Sequence, residues 1–149
     1  MKKEFISNSY KETYSLAMRL GSLINEPTVI AFKGGLGSGK TSFTTGLAVG
    51  LDYFGEANSP TFAIVNEYLG GRLPIYHFDM YRIADEDELY SIGYYDYLDE
   101  SAVLAIEWSE NIEAALPKDT VFVVFSNQNE NSRTITIECS EEKEFLKEL

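Results

Sequence analysis

Gly34-Gly35-Leu36-Gly37-Ser38-Gly39-Lys40-Thr41 fits the phosphate-binding pattern G-x-x-x-x-G-K-[ST], with Gly34, Gly39, Lys40 and Thr41 at the fixed places. Glycines let a backbone wrap closely around a polyphosphate, because positive φ costs them little. Successive N–H groups and the start of a following helix then offer donors and partial positive charge to the anion. In this pattern Lys40 reaches the β- and γ-phosphates and the Thr41 hydroxyl holds Mg²⁺. The flanks supply the required context. Thr28-Val29-Ile30-Ala31-Phe32 is a short apolar run that reads as a buried strand; Phe43, Leu47, Ala48 and Leu51 recur at helical spacing, with Gly50 near the helix end. Strand, loop and helix in that order make this a nucleotide-binding loop.

Composition bounds the rest. A chain of 149 residues predicts one domain, residues 1–149, large enough to bury about 70% of its unfolded surface. No run approaches the roughly 20 apolar residues of a membrane span, and the opening MKKEFISNSYKE leads into no apolar signal segment. These features predict a cytoplasmic protein without a membrane partner. The single cysteine, Cys139, excludes an intrachain disulfide and reads as a small buried hydrophobe near a strand end. The net charge is −12, with 24 Asp and Glu against 12 Lys and Arg. A domain that gripped nucleic acid alone would carry a basic patch, so any RNA would be reached mainly through a partner.

Taken in order, Glu4-Phe5-Ile6 suggests a short edge strand. Ser9-Tyr10-Lys11-Glu12 has the capping-box pattern and opens a helix whose Leu16, Leu20, Leu23 and Ile24 form an apolar stripe, ending by Pro27. After the loop and its helix come two turn-rich stretches, Asp52-Tyr53-Phe54-Gly55 and Asn58-Ser59-Pro60-Thr61. Phe62 to Leu69 reads as a strand, joined through Gly70-Gly71 to a second over Leu73 to Phe78. A tight turn forces that pair antiparallel, so the sheet is mixed. Ala84 to Ile92 is an acidic helix and Ala102 to Ile106 an apolar strand ending in Glu107-Trp108. Ser109 opens a helix that stops before Pro117; strands over 121–125 and 133–138 and a helix over 141–149 complete the chain. The fold class is α/β: one P-loop NTPase-like domain, a mixed parallel and antiparallel sheet flanked by helices.

A nucleotide loop needs a carboxylate near Mg²⁺, and related enzymes place it at the carboxyl end of a neighbouring apolar strand. Glu107 ends VLAIE and Asp79 ends IYHFD, and both should open onto the edge where the loop lies. His77, the only histidine, shares a strand face with Ile75 and Asp79; a packed structural role and a hydrogen bond to Asp79 are both open. Trp108 is placed either to cover the site or to fill the core. Ser59-Pro60-Thr61 is a restrained turn with two hydroxyls, at the position where GTPase-like enzymes place a segment that senses the γ-phosphate. Arg82 and Arg133 are the remaining cations to consider for phosphate or adenine contact, against a plain surface role.

In order along the chain, GGLGSGKTSF, NSPTF followed by EY, HFDMYR, ELYSIGYYDYL and AIEW together resemble the TsaE (YjeE) family, small bacterial ATPases of threonylcarbamoyladenosine synthesis in tRNA. The resemblance runs from about Tyr10 to Leu116 and more weakly to Arg133. It implies ATP and Mg²⁺ at Gly34, Gly35, Leu36, Gly37, Ser38, Gly39, Lys40, Thr41 and Ser42, with Thr41 and Glu107 as metal ligands. It also implies that Asp79 is needed for hydrolysis, that Ser59 to Thr61 form a switch-like segment, and that Trp108 lies beside the nucleotide. Family members are expected to act with TsaB and TsaD, to hydrolyse ATP weakly alone, and to meet tRNA only through that complex. The chain departs from the family pattern in having Gly35 where an aspartate is usual after the first loop glycine.

Two other classes compete. A small-molecule kinase of the P-loop class would need cations to clamp the transferring phosphoryl group, and Ile83 to Pro117 contains no Lys or Arg. A GTPase lacks support, since no N-K-x-D motif is present. A nucleotide-dependent interaction module without significant turnover is separated least well from a weak ATPase. On the ATPase reading, Lys40, Asp79 and Thr61 carry the chemistry, while Trp108 and Arg133 join the loop in holding nucleotide.

Overall fold

A computed structural model of the chain describes residues 1–34, 39–55, 64–127 and 129–149. Its centre is β2 (Thr28–Lys33), a strand buried on both faces, which explains the unbroken apolar run TVIAF. β2 pairs in parallel with β5 (Val103–Glu107) on one side and β6 (Val121–Asn127) on the other. Beyond β5 lies β4 (Ile75–Asp79), also parallel, then β3 (Val65–Tyr68), antiparallel to β4. Beyond β6 lie β7 (Arg133–Cys139) and β1 (Lys2–Ser7), each antiparallel to its neighbour. Among the described residues seven strands therefore run β1-β7-β6-β2-β5-β4-β3, the mixed sheet that the sequence predicts, with the Glu4–Ile6 region at one edge.

Strand alternation divides the core in two. On β5, Val103 and Ala105 face one layer while Leu104 and Ile106 face the other. The first layer holds α1 (Tyr10–Leu23) and α2 (Lys40–Gly50), with Leu20, Ile24, Phe43 and Leu47 fully buried. The second holds α3 (Glu86–Ser91), α4 (Tyr94–Leu98) and a 3₁₀ helix (Ser109–Ala115), packed through Leu89, Tyr94 and Ile112. A short α5 (Glu144–Glu148) closes the first layer with Phe145 and Leu146.

Local chemistry explains these elements. The Ser9 hydroxyl accepts the Glu12 N–H at 3.1 Å, and the Glu12 carboxylate turns back onto the Asn8 N–H. α1 and α2 meet through glycines: a Cβ at Gly21 would collide with the Leu47 carbonyl, at Gly46 with that of Tyr14, and at Gly50 with that of Met18. Arg72 straps the far ends of the pair. Its guanidinium donates to the carbonyls of Gly21 at 2.8 Å, Gly50 at 3.0 Å and Ile24 at 3.1 Å, and to Asp52 at 2.8 Å. It thus satisfies carbonyls that helix ends leave unpaired.

Several boundaries differ from expectation. The acidic helix begins at Glu86 because the Asp85 carboxylate caps it, accepting the Glu88 N–H at 3.0 Å. α4 was not predicted, since the aromatic run YYDYL lacks a 3.6-residue pattern; Gly93, at φ 78°, starts it. The element after Ser109 is a 3₁₀ helix broken at Ile112 rather than an α-helix. The described part of the third strand is shorter than Phe62–Leu69, and α5 starts at Glu144 rather than Glu141. Cys139 is buried at the end of β7, as expected. Among the described residues no helix is long and apolar enough to cross a membrane.

Candidate nucleotide site

The topology gathers the candidate residues at one sheet edge. β2, β4 and β5 run parallel, so their carboxyl ends coincide. Gly34 follows β2, and Gly39 precedes α2 as its N-cap. Both glycines take left-handed backbone, φ 141° and φ 102°, which side-chain-bearing residues avoid. The space at both is already spoken for. A Cβ on Gly34 would lie 2.9 Å from Cβ of Phe125, and one on Gly39 would lie 2.7 Å from Nη1 of Arg133.

Lys40 opens α2, and its ammonium donates to the Gly34 carbonyl at 3.2 Å. It also stands 5.7 Å from the centroid of Trp108. Trp108 reaches it because the chain turns at φ 58° directly after β5, an uncommon conformation for a bulky residue. The Tyr81 ring packs against Trp108 at 4.9 Å. Ser109 pins this turn to β2, donating to the Phe32 carbonyl at 3.0 Å, and Asn111 donates to the Met80 carbonyl at 2.9 Å.

Asp79 and Glu107 are directly opposite one another in the β4–β5 register. By alternation both belong to the face that carries α1 and α2, the side on which the helix of Lys40 begins. The Asp79 carboxylate accepts the Tyr81 N–H at 2.9 Å. Glu107 takes a different partner: its Oε2 is 2.7 Å from Nε2 of His77, and Nδ1 of His77 is 3.0 Å from the Tyr68 hydroxyl. Burial raises the Glu107 pKa, but the His77 hydrogen bond and attraction, with the Lys40 charge, outweigh it and hold the carboxyl below its ordinary value. His77 therefore bonds the acid of the adjacent strand, not Asp79. Face alternation leaves that choice open, because only the strand register decides it.

Arg133 begins β7 opposite both Ser7 and Asn127, which brings its guanidinium to Gly39 and over the Tyr10 ring, 5.2 Å from its centroid. Thr41 is exposed on the first turn of α2 and Ser42 is half-buried beside it, while Arg82 is exposed at the surface. The structure thus brings together Gly34, Gly39, Lys40, Trp108, Glu107, Asp79 and Arg133. Gly35, Leu36, Gly37, Ser38, Ser59, Pro60 and Thr61 lie outside the described residues. Sequence reasoning passed over Tyr68 and Ser109, whose roles depend on pairing across strands.

The donor set suits a polyphosphate carrying a hard cation. Lys40 and Arg133 are cations that would meet an anion's charge, and the Thr41 hydroxyl and the Glu107 and Asp79 carboxylates are oxygen donors of the kind Mg²⁺ prefers. Among the described residues no three His, Cys, Asp or Glu side chains converge as an ion cage. Magnesium arriving with phosphates needs only one or two protein carboxylates.

The family model described as "Threonylcarbamoyl adenosine biosynthesis protein TsaE" matches residues 7–135. The chain belongs to the TsaE family. It is 38% identical over 126 residues to the tRNA threonylcarbamoyladenosine biosynthesis protein TsaE of Bacillus subtilis, covering 85% of this chain and 78% of that protein. To the TsaE of Treponema pallidum it is 36% identical over 132 residues, covering 89% of this chain and 97% of its relative. The crystal structure of Bacillus subtilis YdiB superposes with a TM-score of 0.74 at 30% identity, covering 95% of this chain and 87% of that one.

Proposed function

We propose that this chain is a Mg²⁺-dependent ATPase, slow alone, that serves threonylcarbamoyladenosine synthesis in bacterial tRNA together with TsaD and TsaB in the cytoplasm. The observation that carries this reading is the pairing of Asp79 with Glu107 at the sheet edge where Lys40 begins α2. The family membership supplies the pathway, and relatives named for tRNA threonylcarbamoyladenosine biosynthesis support it.

Lys40 and the loop backbone would bind the β- and γ-phosphates, and Arg133 at Gly39 adds a second cation. Trp108 offers an aromatic wall beside the Lys40 ammonium. Thr41 and Glu107 would hold Mg²⁺, which when bound neutralises phosphate charge and so favours attack at the γ-phosphorus. Asp79, half-buried and free of any histidine partner, is the carboxylate left to orient the attacking water and accept its proton, with Thr61 assisting from the switch-like segment. The absence of lid cations over Ile83 to Pro117 favours water over a small-molecule acceptor. With a net charge of −12, tRNA contact through the partner proteins is the favoured arrangement.

The deciding experiment measures phosphate release with ATP and GTP in parallel, with and without the TsaD–TsaB pair. ATP turnover should be slow alone and stimulated by the pair, with GTP a poor substrate. Asp79→Ala should bind ATP yet fail to turn over. Normal phosphate release by that variant removes Asp79 from the mechanism, and no ATP turnover under any condition leaves a binding module instead.

A further inference from the structure

We propose that His77 is a positioning residue that, anchored by the Tyr68 hydroxyl, aims the Glu107 carboxylate at the start of α2 so that it can serve Mg²⁺ in the nucleotide site. The inference rests on the site reading given above and adds a residue to it.

The geometry singles out His77. Its side chain is 2% exposed and that of Glu107 14% exposed, so their 2.7 Å contact is largely shielded from water. A buried imidazole needs a polar partner at each ring nitrogen, and the identity of the partners shows what the ring holds in place. Here both ring nitrogens have one, Glu107 at Nε2 and Tyr68 at Nδ1. An ionised carboxylate can only accept, so Nε2 carries the proton given to Glu107, while Nδ1 meets the Tyr68 hydroxyl. Tyr68 is itself 3% exposed. Its ring is stacked on Tyr53 at 5.4 Å, just past the end of α2.

The register explains why the bond goes to Glu107. His77 faces Ala105 across the β4–β5 pair, and Glu107 lies two residues further along the same face, a diagonal neighbour within reach of a long side chain. Asp79 stands directly opposite Glu107 but is engaged by a backbone N–H of its own turn. Two carboxylates at one edge are thus given different supports. Glu107 is held from behind by a buried ring, and Asp79 is left half-exposed. Outer partners of this kind orient a metal-binding carboxylate, and their loss typically lowers metal affinity about 10–100-fold.

The test is calorimetric titration of a non-hydrolysable ATP analogue, with and without Mg²⁺, on the wild-type chain and three variants. In His77→Ala the Mg²⁺-free affinity should stay near wild type, while the Mg²⁺-dependent gain falls about tenfold or more. His77→Gln should recover most of that gain, because its amide N–H can replace the Nε2 donor. Tyr68→Phe should lower it in the same direction but by less. Thermal melts establish that each variant is folded; if His77→Ala is not, the Gln and Phe variants carry the comparison. Nitrogen NMR of the ligand-free protein gives a readout independent of nucleotide and should find a proton on Nε2. A Mg²⁺-dependent gain unchanged in His77→Ala and Tyr68→Phe, or an Nε2 without a proton, overturns the proposal while the wild type still binds. A wild type that binds no nucleotide refutes the site reading itself, and this inference with it.

Discussion

Lys40 begins α2 with its ammonium bonded to the Gly34 carbonyl, 3.2 Å away, and set against the Trp108 ring. A cation held across the loop by one carbonyl and one aromatic face can leave both for a phosphate. Lys40→Ala should therefore weaken ATP binding at least tenfold in calorimetry, about 1.4 kcal/mol or more; unchanged affinity would remove Lys40 from the site. At this scale the sequence was partly legible. Glu107 and Asp79 could be found because each ends an apolar strand, and alternation gave their shared face. What could not be read was which acid His77 meets, since that depends on how β4 slides against β5. The left-handed turn at Trp108 was equally hidden, because it runs against the residue's own preference.

Among the elements, the contact between α1 and α2 is the most sharply specified. Gly21, Gly46 and Gly50 each stand where a methyl group would strike a carbonyl oxygen of the opposite helix. Gly46→Ala should consequently destabilise the protein by about 1–3 kcal/mol, the usual penalty of overpacking, despite alanine's better helix propensity. A thermal melt checks this, and a transition at or above the wild-type temperature would contradict the packing argument. α1 could be recognised from its Ser9 cap and leucine stripe, and β2 and β5 from their apolar runs. The helix opening at Ser109 could be expected, though not its 3₁₀ form; α4 could not, because a short turn of helix rich in tyrosine is stabilised by tertiary packing on Phe78 rather than by local pattern.

For the molecule as a whole, a charge of −12 surrounds the site proposed to take a nucleotide. Exposed Asp85, Glu86, Asp87, Asp96, Asp99 and Glu100 lie on the second-layer helices and their connections. A triphosphate approaching from solution meets net repulsion, and Lys40 and Arg133 attract it only at close range. Salt screens the former more than the latter, since the Debye length is about 10 Å at 0.1 M. The association rate of a fluorescent ATP analogue should thus rise as ionic strength increases toward about 0.15 M, measured by stopped flow. A falling rate would mean that the local cations dominate the approach. The interlocked glycines carry one more consequence. With backbone resting on backbone, the helix that Lys40 begins has no slack to swivel against its companion, and Arg72 clasps the same two rods at their far tips. Any rearrangement that reported nucleotide state to the outside would therefore leave the α1–α2 pair intact and draw on other segments, among them the stretch after Trp108 that the side chains of Ser109 and Asn111 tether.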